Sequence, residues 1–156
     1  MWYGEYSHTL DEKSRLILPA KFRDKIKQLH EHRFYLTRGL ERCLFFYHQE
    51  AWLKLEARLK TPSFTDRDSR YFNRIIFSGV QEIALDGQGR VVIPDYLKSF
   101  AAIKKDVVIV GVSERIEIWD KASWNRFFAE NSKEFEDISE RLFRNDEANP
   151  KKAEGK

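Results

Sequence analysis

The chain has 156 residues, with 28 Lys and Arg against 25 Asp and Glu and a formal net charge of +3. A hydrophobic content of 42%, with aromatics at 14%, supports a packed core. The 34% of charged residues and the lack of any run of eighteen apolar residues exclude a helix that spans a membrane. So mild a positive excess points only weakly to nucleic acid; affinity for DNA has to come from local clusters of Arg and Lys, or from oligomerisation of a small patch. The length suits one domain, or two half-domains of about 75 residues sharing a core, because units of about 60 residues are marginal alone. Met1 to Glu5 has neither the basic nor the apolar stretch of a secretory signal, and the single Cys43 has no internal disulfide partner. Both features point to the cytoplasm.

Taken in order, Tyr6 to Leu10 and Leu16 to Leu18 read as short strands around the turn-forming Asp11-Glu12-Lys13-Ser14. Pro19 is expected at the first helical position, followed by one apolar stripe of Phe22, Ile26 and Leu29, with Lys21, Arg23, Lys25 and Lys27 mostly outside it. Phe34 to Thr37 and Cys43 to Tyr47 form a hairpin whose connection contains Gly39, and Gln49 to Lys60 carries Trp52, Leu55 and Leu59 at helical spacing. Thr61 to Asp66 breaks that helix, and Thr65 is expected to cap the next, which contains Tyr71, Phe72, Ile75 and Ile76, with Gly79 marking its end or a bulge. A strand at Gln81 to Leu85, the Asp86 loop, Val91 to Ile93, Pro94 and a helix with Leu97 and Phe100 follow. Val107 to Val110 and Ile116 to Trp119 then form a hairpin expected to turn around Gly111. Trp124, Phe127 and Phe128, with Phe135, Ile138, Leu142 and Phe143, suggest a helical C-terminal extension whose apolar stripe covers either its own domain or a neighbouring subunit. The aromatics at 45–47 and 124–128 are expected in the core, and the polar residues 145–156 are expected to be disordered.

One stretch occurs twice. Leu10-Asp11-Glu12-Lys13-Ser14-Arg15-Leu16-Ile17-Leu18-Pro19 matches Leu85-Asp86-Gly87-Gln88-Gly89-Arg90-Val91-Val92-Ile93-Pro94 at an offset of about 75. The match runs from Gly4 over Gly79 to Arg23 over Lys98, and the offset then changes so that Gly39 lies over Gly111 and Trp52 over Trp124. The organisation read from this is a first repeat at 1–60, a helical connector at 61–76, a second repeat at 77–128, a C-terminal helix at 129–144 and a tail at 145–156.

An aspartate at the start of such a loop can accept from backbone N–H groups and fix the turn, and Gly87 and Gly89 permit positive φ there. The arginine at the far end carries five donors in a planar fork, suited to two phosphate oxygens or to guanine O6 and N7. Spacing leaves two readings: Asp11–Arg15 and Asp86–Arg90 are internal ion pairs that hold each turn, or the arginines are DNA contacts. Spacing alone favours the ion pairs. Lys13, Lys21 and Arg23 near the first loop, Lys98, Lys104 and Lys105 after the second, and the repetition itself favour DNA.

Enzyme chemistry finds no constellation. His30 and His32 lack companion ligands for a metal, and Cys43 with His48 is too sparse for a thiol nucleophile, a buried thiol being the ordinary alternative. Asp86-Gly87-Gln88-Gly89 fits neither a phosphate-cradling loop nor a calcium loop. The chain therefore reads as a non-enzyme without catalytic residues, metal, cofactor or small-molecule substrate.

At these residues the chain resembles the MraZ family, bacterial transcriptional regulators with two copies of a domain related to the AbrB-type swapped-hairpin DNA-binding fold. The resemblance is carried by Gly4-Glu5-Tyr6 before His8-Thr9-Leu10-Asp11, Ile17-Leu18-Pro19-Ala20-Lys21-Phe22-Arg23, Leu36-Thr37-Arg38-Gly39-Leu40 and Cys43-Leu44-Phe45. It continues through Phe77-Ser78-Gly79, Leu85-Asp86 to Arg90, Val110-Gly111-Val112 and Glu117-Ile118-Trp119, so it covers Met1 to about Trp124. It implies an α+β fold: a β-barrel of two pseudo-symmetric AbrB-like (swapped-hairpin, double-psi-like) repeats with peripheral helices and a helical C-terminal extension. It further implies a homo-oligomer closed into a ring, bound at the nucleoid to double-stranded DNA at repeated promoter boxes. The implied role is repression of the division and cell-wall gene cluster, including the regulator's own gene. Carried over, Arg15 and Arg90 touch DNA, with Lys13, Lys21 and Arg23 beside the first loop, and Asp11 and Asp86 order the loops together with Gly87 and Gly89. The first loop is expected to be the dominant contact. The sequence departs from the family in Ser14, where glycine is frequent, and in Val80, where alanine is usual. The rival reading is an antitoxin-like or other protein-interaction barrel that captures a partner through the C-terminal helix; the double repeat argues against it.

Overall fold

The computed structural model describes residues 1–30, 32–60 and 65–147; positions 61–64 of the expected helix break at 61–66, and positions 148–156 of the expected tail at 145–156, lie outside them, whereas 145–147 belong to the last helix and not to a disordered tail. The chain divides into two compact units, Met1–Lys121 and Ala122–Lys156. In chain order the first unit contains β1 (Trp2–Thr9), β2 (Arg15–Ile17), α1 (Ala20–Leu29), β3 (Phe34–Arg38), β4 (Leu44–His48) and α2 (Gln49–Lys60). There follow α3 (Arg67–Gly79), β5 (Gln81–Ile83), β6 (Arg90–Val92), α4 (Asp95–Phe100), β7 (Asp106–Ser113) and β8 (Arg115–Asp120).

The prolines do the same job in both halves, one position earlier than expected. Pro19 (φ −51°, ψ 142°) and Pro94 (φ −59°, ψ 147°) are the caps of α1 and α4, and not the first helical residues. Each turns an extended chain into a helix while its carbonyl accepts the first helical bonds, from Phe22 and Arg23 in one case (2.9 and 3.0 Å) and from Leu97 and Lys98 in the other (both 3.0 Å). The cap of α3 also shifts, from the expected Thr65 to Asp66, whose Oδ2 accepts from the Ser69 N–H at 2.7 Å. The helix starts at Arg67, so residue 66 holds the capping position, and a carboxylate there also meets the positive end of the helix dipole.

Strands β1-β7-β8-β4-β3-β5 form a six-stranded antiparallel sheet, and β2 and β6 pair as a separate two-stranded ribbon. The expected barrel is thus not closed by hydrogen bonds: β1 and β5 are the edges of an open sheet. The strands that would complete it, β2 and β6, pair with each other over all three of their residues and stand as a ribbon apart from the sheet. Hydrogen bonding crosses between the halves throughout. The first strand of the first half, β1, pairs with β7 of the second, and β5 of the second half pairs with β3 of the first. Gly111, expected in a turn, instead lies inside β7 opposite Gly4, where a side chain would collide with the backbone of Trp2 and Tyr3. The β7–β8 turn falls at Ser113 and Glu114, with Ser113 at φ 57°.

Alternation along the strands builds a core on each face of the sheet. On one face Phe34, Leu36, Leu44, Phe46, Ile109, Ile116 and Ile118 pack with Leu16, Leu18, Val91 and Ile93 around the ribbon, Phe22 and Ile26 of α1, and Leu97 of α4. Trp2 closes this core edge-on to Phe22, with ring centroids 5.3 Å apart. On the other face Tyr35 stacks on Trp52 of α2 at 5.4 Å, Trp52 meets Phe77 of α3 at 6.2 Å, and the buried Thr37 hydroxyl donates to the Ile76 carbonyl at 2.7 Å. Phe45, Phe46 and Tyr47 are buried, as expected.

The second unit holds most of α5 (Lys121–Asn131), a 3₁₀ turn at Ser132–Glu134, and α6 (Phe135–Glu147). The expectation of a core at 124–128 is corrected here. Trp124 and Phe127 are only half-buried, stacked at 5.8 Å, and Phe128 is exposed, as are Phe135, Leu142 and Phe143. The apolar residues of the two helices line an open groove, so neither stripe is covered among the described residues.

Candidate nucleic-acid interface

The two Asp-x-x-x-Arg loops have the same internal wiring. In the first, Asp11 N–H donates to the Arg15 carbonyl and Ser14 N–H to the Asp11 carbonyl, both at 3.0 Å; in the second, Asp86 and Gly89 N–H make the matching bonds at 3.0 and 2.9 Å. Asp11 Oδ1 accepts from the Lys13 and Arg15 N–H groups, both at 2.9 Å, and Asp86 Oδ1 from those of Gln88 and Arg90 at 2.9 and 3.0 Å. The other oxygen of each carboxylate accepts from its arginine's Nε, at 2.5 Å for Asp11–Arg15 and 2.7 Å for Asp86–Arg90. These bonds hold both carboxyls below the usual range. The leading cause is the Arg15 or Arg90 backbone N–H, with the guanidinium second among the lowering effects.

The fourth loop residue takes a left-handed conformation in both copies, Ser14 at φ 57° and Gly89 at φ 74°. Serine therefore does not change the turn. Glycine here removes a steric cost and the aspartate sets the geometry.

Pairing of β2 with β6 then decides where the arginines point. Arg15 lies opposite Val92, Leu16 opposite Val91 and Ile17 opposite Arg90. Moving any residue 75 positions on exchanges the two strands, so the ribbon has a local two-fold centred on Leu16 and Val91. Both of those side chains are fully buried, and alternation sends Arg15, Ile17, Arg90 and Val92 to the opposite face. The two arginines are diagonal neighbours on that face, at a separation of about 7–8 Å with their Cβ atoms somewhat closer. Since the aspartate takes only the Nε edge, both terminal nitrogens of each guanidinium remain without a hydrogen-bond partner among the described residues. Val92, 55% exposed, lies beside them.

The remaining site residues separate into two groups. Lys13 and Lys21 are exposed and make no ion pair among the described residues. Arg23 is half-buried and turned toward the second loop, its Nη1 donating to the Gln88 carbonyl at 3.3 Å. Lys98, its counterpart, reaches the first loop at Ser14 Oγ, 2.5 Å away. Gly87 lies in open space. Sequence reading placed Lys98 in a basic cluster but did not see this contact, which joins residues 84 apart.

The same two-fold plan appears in comparison with known proteins. The sequence matches the family model described as "MraZ protein, putative antitoxin-like" twice, over residues 1–75 and 76–146. The chain belongs to the MraZ family. It is 44% identical over 142 residues to the "Transcriptional regulator MraZ" of Acetivibrio thermocellus, an alignment that covers 91% of this chain and 96% of that protein.

Cys43 is a free, fully buried thiol, and burial pushes its pKa well up, which removes it as a nucleophile. No group of His, Cys, Asp or Glu among the described residues could hold a metal ion, and none of the described helices is long and apolar enough to cross a membrane.

Proposed function

We propose that the protein is a sequence-specific DNA-binding transcriptional regulator, with an AbrB-like two-repeat body whose β2–β6 ribbon enters the major groove. The observation that carries this reading is the pair of outward arginines on one face of a two-stranded ribbon, each fixed by its own aspartate and with terminal nitrogens that make no hydrogen bond among the described residues. A major groove about 12 Å wide admits such a ribbon, and a fork of N–H donors reads guanine or clamps phosphate. The internal ion pair and the DNA contact are compatible: the carboxylate orders the arginine's inner edge, and the outer edge binds. The exposed Val92 offers an apolar surface suited to a thymine methyl.

On this reading the protein represses the division and cell-wall gene cluster, with its own gene, from repeated boxes upstream. A ring of subunits compensates for the small net charge, because each later contact forms at high effective concentration. Exposed Tyr71 and Ile75 on α3 and the apolar stripes of α5 and α6 supply surface for self-association. The test is an electrophoretic shift with a duplex spanning the DNA upstream of the gene itself, beside a duplex of the same composition in shuffled order. Tight, saltable binding to the first and about a thousandfold weaker binding to the second are expected. Equal affinity for both duplexes would remove the claim of specificity, and a single species at monomer mass in native mass spectrometry would remove the ring.

A second reading, capture of a protein partner, is favoured by the apolar groove between α5 and α6 lined by Trp124, Phe127, Phe128, Phe135 and Ile138. It predicts one stoichiometric partner protein that is lost on Phe128→Ser with DNA binding intact.

A further inference from the structure

Each loop is gripped by the other repeat. Arg23 belongs to the first repeat, in the opening turn of α1, yet its Nη1 bonds the Gln88 carbonyl and its stem lies so close to Gly89 that any side chain there would collide with the Arg23 Cδ. Lys98, 75 positions on in the opening turn of α4, donates to Ser14 Oγ at 2.5 Å and lies 3.2 Å from Asp95 Oδ1. The backbone repeats the exchange: Leu18 N–H donates to the Gly89 carbonyl at 3.1 Å, and Ile93 N–H to the Ser14 carbonyl at 2.9 Å. The fourth residue of each loop is thus held from the opposite repeat by a strand-end amide and by a basic side chain at the start of a helix.

The grips are matched to what they hold. Ser14 supplies a hydroxyl to an ammonium, whereas Gly89 supplies empty space that the longer arginine stem fills. Arg23 Nε is buried without a hydrogen-bond partner among the described residues, so this guanidinium is placed by packing along Gly89 and by its bond to Gln88.

We propose that Arg23 and Lys98 are positioning residues, each setting the loop of the opposite repeat, so that Arg90 depends on Arg23 and Arg15 on Lys98. This rests on the reading of Arg15 and Arg90 as DNA contacts. It moves Arg23 from the DNA-contact set to the frame behind it.

The dependence is crossed, and that makes it testable by double-mutant cycles on the upstream duplex at low salt, where weakened variants still bind. Arg23→Ala is expected to weaken binding about five- to tenfold in the wild type and in Arg15→Ala, and to have no further effect in Arg90→Ala. Lys98→Ala should show the mirror pattern. Equal losses in both backgrounds would mean direct contact with DNA and would overturn the proposal.

Amide hydrogen exchange on the free, full-length protein gives a readout that needs no DNA. Arg23→Ala should speed exchange at Gln88, Gly89 and Arg90 while sparing Lys13, Ser14 and Arg15, and Lys98→Ala should do the reverse. Acceleration confined to the same repeat, or spread over the whole chain, overturns the crossed grip. If wild type and Arg15→Ala bind the duplex alike, the DNA reading fails, and the exchange pattern still decides the grip by itself. Should either alanine variant fold poorly, transplantation replaces it: Gly89→Ser alone displaces Arg23 and weakens binding, and adding Arg23→Lys, which copies the Ser14–Lys98 pair, should restore at least half of the loss. Failure of that restoration counts against the proposal.

Discussion

The first and second loops carry the same hydrogen-bond plan, with corresponding lengths agreeing within about 0.2 Å, although only Asp and Arg are common to their five residues. Ser14 occupies a conformation that glycine adopts at no steric cost, and Lys98 bonds its hydroxyl; Gly89 needs no such help but leaves space for Arg23. The difference teaches that the turn is written by the aspartate and by the opposite repeat, with glycine as an economy. It also separates frame from charge. The frames are equal, so on the DNA reading proposed above any unequal contribution of the two arginines has to come from what surrounds each, Lys13 in the first loop and the uncharged Gln88 in the second.

The sharpest break of this comparison is the arginine pair. Arg15→Ala is expected to weaken operator binding about a hundredfold and Arg90→Ala about tenfold, with melting temperatures unchanged within error. Equal losses in a titration at fixed salt would erase the ranking of the loops. Next in size comes the glycine. Gly89→Ala should cost about 1 kcal/mol or more in denaturant unfolding, from positive φ and the collision with Arg23, whereas Ser14→Gly should stay within about 0.5 kcal/mol of wild type. A destabilised Ser14→Gly with an unaffected Gly89→Ala would reverse the account of the two turns.

Lys13→Gln should weaken binding only about threefold and reduce the slope of log K against log salt by about 1, with no such change for Gln88→Ala. The smallest effect is in acid. Both aspartates are held below their ordinary 3.8, so the stabilisation they give is present above that value and is lost as pH falls through their depressed folded values. Amide signals of Lys13 and Arg15 and of Gln88 and Arg90 should therefore shift together, below about pH 4. Loosening of one loop alone at neutral pH would show that the frames are not equal.

Much of this was legible in the sequence because it is local. The α2 limits at Gln49 and Lys60, the hairpin around Gly39 and the repeated loops all follow from periodicity and turn chemistry within a dozen residues. The misreadings were local competitions between similar signals: Thr65 against Asp66 for a cap, and Gly111 as a turn residue when it lies mid-strand against the backbone of β1. What periodicity could not reach is the exchange between the halves. Arg23 to Gln88 spans 65 residues and Lys98 to Ser14 spans 84, and no spacing rule relates such positions before the fold is known. The amphipathic pattern of α5 and α6 was readable too, but a stripe says only that a face is apolar and not that the described chain covers it.

The exchanged hydrogen bonds have a consequence during synthesis. Ser14 is bound through its carbonyl by Ile93 and through its hydroxyl by Lys98, so the first loop stays incomplete on the ribosome until the chain has grown past residue 98. At about 5–20 residues per second, that is a delay of several seconds after Arg15 emerges. A chain that ends before Ile93 therefore lacks both of these bonds to Ser14 and keeps only those made within the first loop.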